Sequence, residues 1–169
     1  MTPTSAAFLA LALSFAAMVA AAAWYVAPWL KVTDWATGLT ALLWVHAFRY
    51  VALQIFSAQH FGFAVSEAGR NQIAYGDVLA ALLAFSAIVA LRYRNRLTVP
   101  ILWLFVVVAA LDLSNSTVVG MREQLFQSAA AVTWLILTFY VPLLWVSLAL
   151  LVRQIWMRGP KLSAPYARE

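Results

Sequence analysis

The chain has 169 residues, of which 65% are hydrophobic and 10% charged, with a mean hydropathy of +0.86. Soluble domains carry roughly 45–50% apolar and 25% charged residues, so this composition excludes an ordinary soluble domain and predicts an all-α integral membrane protein. The net charge of +5 is then a matter of membrane topology and not of nucleic-acid binding, and the lack of cysteine excludes disulfides, thiolate metal sites, iron–sulfur clusters and covalently attached haem.

At about 20 residues per crossing, the length predicts a bundle of five transmembrane helices in a single domain, residues 1–157. The first helix is expected over about 6–29. No basic residue precedes it, and its apolar run exceeds the roughly 7–15 residues of a signal-peptide core, so it reads as a retained span. Ala12, Ala16 and Ala20 form a row of small residues suited to close helix packing. A link carrying Pro28, Trp29, Lys31, Asp34 and Trp35 leads to the second helix, about 35–60, which holds both histidines, His46 and His60, and sets Arg49 in an apolar run. A charge there is costly and usually functional.

Residues 61–75 read as a polar loop with Glu67, Arg70, Asn71 and Gln72, lying in water or capping the bundle as a short helix. The third helix is expected over 76–91, with Gly76, Ala80 and Ala84 as a second small row, and the fourth over 97–119, with Pro100 in its first turn, where a missing backbone donor costs little. The fourth is wholly apolar over 101–111 and then meets Asp112, Ser114, Asn115 and Ser116. The fifth, 125–157, exceeds one crossing and contains Pro142, which predicts tilt or a kink. Residues 158–169 read as a cytoplasmic tail.

Lys31, Arg92, Arg94, Arg96, Arg153, Arg158, Lys161 and Arg168 fall on one side of such a bundle, Arg70 and Arg122 on the other. Basic residues gather on the cytoplasmic side. The N-terminus is therefore expected outside and the C-terminus in the cytoplasm, in a cell membrane that for a bacterial host is the inner one.

On a continuous α-helix His46, Arg49, Tyr50, Gln54, Ser57 and His60 share a face about 140° wide. The same face further in carries only Leu39, Leu42 and Leu43. Asp112, Asn115 and Ser116 cluster likewise on the fourth helix, and Arg49 and Asp112 differ in depth by roughly 4 to 5 Å at 1.5 Å per residue. An intramembrane Arg49–Asp112 ion pair is expected. With Glu67, Arg70, Asn71, Asp77, Arg122, Glu123, Gln124 and Gln127 on the same side, these residues predict a polar cup between helices two and four, open outward and closed below by leucine and valine, which argues against a channel.

A buried guanidinium with amide and aromatic neighbours suits an amphiphile of lipid, quinone or isoprenoid type, bound or transported. The predicted ligand contacts are His46, Arg49, Tyr50, Gln54, Ser57, His60, Asp112 and Asn115. The alternative is a membrane-embedded hydrolase or isomerase acting on a lipid, with His46 as base and Arg49 or Asp112 orienting or stabilising charge. Ser57 is not its nucleophile, lying roughly 16 Å from His46 along the helix. Haem b is expected only if a homodimer shares His46 and His60, since no other helix has a histidine. Retinal is excluded because both lysines, Lys31 and Lys161, lie outside the spans. No cofactor or metal is expected, since the acids and histidines show no metal-binding spacing. The expected partners are membrane lipid or another amphiphile, a second copy of the chain or a larger membrane complex, and no nucleic acid.

Overall fold

A computed structural model describes residues 2–94 and 97–158. Among these residues every regular element is helical. Five helices are long and apolar enough to cross a membrane: α1 (Thr4–Val32), α2 (Trp35–His60), α3 (Glu67–Tyr93), α4 (Thr98–Arg122) and α5 (Ala131–Arg158). Apart from Arg158, the expected tail lies outside the described residues.

Local chemistry sets the starts of these helices. Asp34 caps α2 by accepting from the Thr37 amide at 3.2 Å, and Ser66 caps α3 by accepting from the Gly69 amide at 2.9 Å. The Ser66 cap moves the start of α3 well before residue 76: the stretch 67–75, expected as a loop or a separate cap, is continuous with the span. Asp77 thereby lies inside a helix and not at its edge.

Two departures from α winding precede prolines. In α1 a π turn over Ala22–Val26 comes just before Pro28, and in α5 another over Ile136–Tyr140 comes just before Pro142. A proline removes one backbone donor and crowds the carbonyl four residues back, and a widened turn accommodates both. The first helix accordingly runs through Pro28 to Val32. The fifth is shorter at its start than expected, because the chain breaks after a separate turn, Leu125–Ser128, and Ala131 takes a left-handed φ of 46°.

α3 packs between α2 and α4, while α5 lies against α1, α2 and α4. The main core joins Leu39, Leu42 and Leu43 of α2 to Ala84, Ala87 and Leu91 of α3, Leu102, Phe105 and Ala109 of α4, and Leu148, Leu151 and Ile155 of α5. A smaller core joins Ile55, Phe63, Val65, Ala74 and Leu125 near the other end. α1 is peripheral: 11% of its most apolar window is buried, against 33–39% in the other helices. Ala12 and Ala16 are exposed, so the small row on α1 is not used for packing within the chain, whereas Ala80 and Ala84 on α3 are buried.

At the basic end, Arg158 closes α5 onto the α1–α2 link by donating to the Thr33 carbonyl at 3.0 Å and to the Lys31 carbonyl. Trp35 Nε1 donates to the Gln154 carbonyl at 3.3 Å.

Candidate functional site

α2 does not stay α-helical. Phe48–Leu53 winds as a 3₁₀ helix between α-helical halves. Each 3₁₀ residue turns about 20° further than an α residue, so six of them rotate the remainder of α2 by about 120°. That rotation breaks up the face expected to carry the polar stripe. Tyr50 is 52% exposed, and Ser57 and His60 are exposed as well. His60 stacks edge-on against its neighbour Phe61. None of the three lines the cavity inside the bundle.

Arg49, inside the 3₁₀ segment, is fully buried. Its Nε donates to Asp77 Oδ1 of α3 at 2.6 Å and its Nη2 to Asp112 Oδ2 of α4. One guanidinium thus bridges two carboxylates on different helices, whose side chains are 13% and 8% exposed. Gly76 makes room for this: a Cβ there would overlap Asp112 Oδ1 and stand 2.8 Å from its Cγ. Asp112 is the partner that depth along the helices predicts. The sequence reasoning places Asp77 in the polar cup but, leaving it at a helix start, misses it as a second partner of Arg49. The signal that places it is Ser66–Glu67, a capping serine followed by an acid in the first turn.

His46 stands apart from this cluster. Its Nε2 lies 2.8 Å from Ser147 Oγ of α5, and its ring meets Phe105 edge-on. Ser147 Oγ also lies 3.1 Å from the Leu144 carbonyl, and His46 Nδ1 has no partner. The imidazole is fully buried and does not line the cavity. Nearby, Tyr140 OH donates to the Val45 carbonyl at 2.7 Å, tying the π turn of α5 to the end of the α winding in α2.

Four of the residues expected in the polar cup, Arg70, Asn71, Asn115 and Glu123, have side-chain partners within the chain. The Ser66 amide donates to Glu123 Oε2 at 2.7 Å, and the Ser66 hydroxyl donates to Oε1. Arg70 donates to Gln59 and Asn71 and lies 4.7 Å over the Phe56 ring. Asn115 accepts from Gln72 Nε2 at 2.8 Å and is occupied there. These bonds satisfy groups that would otherwise line an aqueous mouth.

The bundle encloses a cavity of about 560 Å³, bounded by all five helices and the turn at 125–128. Phe8 and Phe15 of α1, Ile55 of α2, Leu113 of α4, and Leu144 and Trp145 of α5 are among its apolar lining. Arg49, Gln54, Asp77, Ser114, Ser116, Thr117, Thr133 and Tyr140 supply its polar groups. Beside α2 and α4, the helices expected to form the pocket, α1, α3 and α5 contribute to this cavity, and its lining is chiefly apolar. Phe8 and Phe126 meet with ring centroids 5.1 Å apart at one edge. Among the described residues no three acids or histidines gather as a metal site.

Residues 6–156 match the family DUF8737, described as a domain of unknown function, and the chain belongs to that family. No curated protein and no solved structure matches it.

Proposed function

We propose that this DUF8737 member is a multi-pass membrane protein that binds an amphiphilic molecule of lipid, quinone or isoprenoid type. The apolar body lies in the cavity and the polar head at the Arg49 cluster. The protein acts as a carrier or as an accessory subunit of a membrane complex. The observation that carries this reading is a cavity of about 560 Å³ walled mainly by aromatic and aliphatic side chains, with one buried guanidinium–carboxylate cluster on its wall. Small-molecule sites have this form: roughly 300–1,000 Å³, predominantly apolar, with a few placed polar groups that orient the ligand.

The five apolar helices support insertion in a membrane, and the excess of basic residues on one side supports an external N-terminus and a cytoplasmic C-terminus. C-terminal fusions test the orientation: green fluorescent protein is expected to fluoresce and alkaline phosphatase to be inactive.

Binding is tested by extracting the purified protein and identifying co-purified amphiphiles by mass spectrometry, beside an Ala52→Phe variant that places a ring in the cavity. The occupancy of one class of molecule is expected to fall severalfold in the variant while the fold is retained. An identical profile at identical stoichiometry refutes the reading.

A further inference from the structure

We infer that the head group held at the Arg49 cluster is a neutral hydrogen-bond acceptor, a carbonyl of ester or quinone type, and not an anion. This rests on the cavity being an amphiphile-binding site and narrows what it takes.

Two observations carry it. The first is charge. An isolated buried arginine would recruit an anionic head, but Arg49 already faces two carboxylates, Asp77 and Asp112. With both ionised the cluster carries one excess negative charge, and with one protonated it is neutral. In neither state is positive charge left over. An anion entering a low-dielectric site beside it would have to displace a carboxylate or sit next to two of them, and uncompensated like charges in such a place are strongly unfavourable.

The second observation is unused hydrogen-bonding capacity. Among the described residues three buried side-chain polar atoms have no partner: His46 Nδ1, Arg49 Nη1 and Ser116 Oγ. Two of these three belong to residues that line the cavity. Ser116 is one helical turn beyond Asp112 on α4, so its hydroxyl is on the side of the helix that meets the cluster. Buried polar groups are almost always paired, and unpaired ones call for a partner. Arg49 Nη1 can only donate and Ser116 Oγ donates readily, so the missing partner is an acceptor. A carbonyl oxygen can accept from such a donor, brings no charge, and leaves the hydrocarbon for the aromatic wall.

Three probes of equal chain length separate the possibilities: dodecane, methyl laurate and laurate, titrated against the purified full-length protein in detergent, with binding read by calorimetry. Methyl laurate is expected to bind about tenfold tighter than dodecane, as one well-made hydrogen bond to a charged donor allows, and also about tenfold tighter than laurate. Ser116→Ala is expected to reduce the advantage of methyl laurate over dodecane severalfold while leaving dodecane binding unchanged. Laurate binding as tightly as methyl laurate, or more tightly, overturns the inference and leaves the binding reading intact. An undiminished methyl laurate advantage in Ser116→Ala overturns the role of that hydroxyl. If none of the three binds, the cavity is not an amphiphile site and both readings fall together.

Discussion

Gly76→Ala isolates the contact on which the buried cluster depends. In a helix interior the change by itself favours folding by about 1 kcal/mol. Here the added methyl would overlap Asp112 Oδ1 and stand 2.8 Å from Cγ, and the carboxylate is not free to swing aside because Arg49 holds its other oxygen. Moving Asp112 off its rotamer costs about 0.5–1.5 kcal/mol, and losing a charge-assisted bond inside the bundle costs about 1.5–3 kcal/mol. Set against the propensity gain, the variant is expected to be about 2 kcal/mol less stable. Reversible unfolding in mixed detergent micelles, followed by circular dichroism, measures this. Gly120→Ala is the control, since a Cβ there meets only Leu125 Cδ1, at 3.9 Å, and is expected to be neutral or slightly stabilising. If Gly76→Ala is as stable as the parent or more so, Asp112 does not occupy the space beside Gly76, and the geometry of the cluster is wrong.

Further variants probe the Arg49 cluster and the contacts of His46 and Tyr140. Arg49→Ala leaves two buried carboxylates without their cation and is expected to cost about 3–5 kcal/mol; in a cycle with Asp112→Asn the double variant should lose clearly less than the sum of the singles, and strict additivity would show that the two are uncoupled. Arg49→Lys keeps the charge but not the planar fork that reaches Asp77 and Asp112 from different nitrogens, so it should restore only part of the stability lost in Arg49→Ala. Ser147→Ala strands His46 Nε2 in the core and is expected to cost about 1–3 kcal/mol, whereas His46→Leu combined with Ser147→Ala should recover most of that, as chemical unfolding of the single and double variants would show. Tyr140→Phe removes the bond to the Val45 carbonyl and is expected to lower stability by about 1 kcal/mol with no change in helix content.

The candidate site was legible where it depended on distance along a helix and illegible where it depended on winding or on neighbours. Arg49 and Asp112 stand out in sequence because each interrupts an apolar run, and depth along a helix follows from residue count whatever the azimuth. The face shared by Tyr50, Ser57 and His60 does not survive, because azimuth accumulates the error of every residue and six 3₁₀ residues displace it by about 120°. His46 looked like a ligand because it is polar and deep. Its partner Ser147 lies 101 residues further along the chain, and nothing local announces that pairing. A related reason hides the partners of the cup residues: Arg70, Asn71, Asn115 and Glu123 are polar groups in the sequence, and only the fold brings Gln59, Gln72 and Ser66 to them.

What the sequence by itself determined is the number of helices, their apolar character and the one arginine set among them, because these depend on composition and on lengths measured along a single chain segment. Only the tertiary structure decided that Arg49 serves two carboxylates, that α1, α3 and α5 join α2 and α4 around the cavity, and that α2 changes its winding at the point where the cluster forms. The physical reason is that a buried charge is stabilised by whatever surrounds it in space, and in a bundle those surroundings are contributed by helices far apart in the chain.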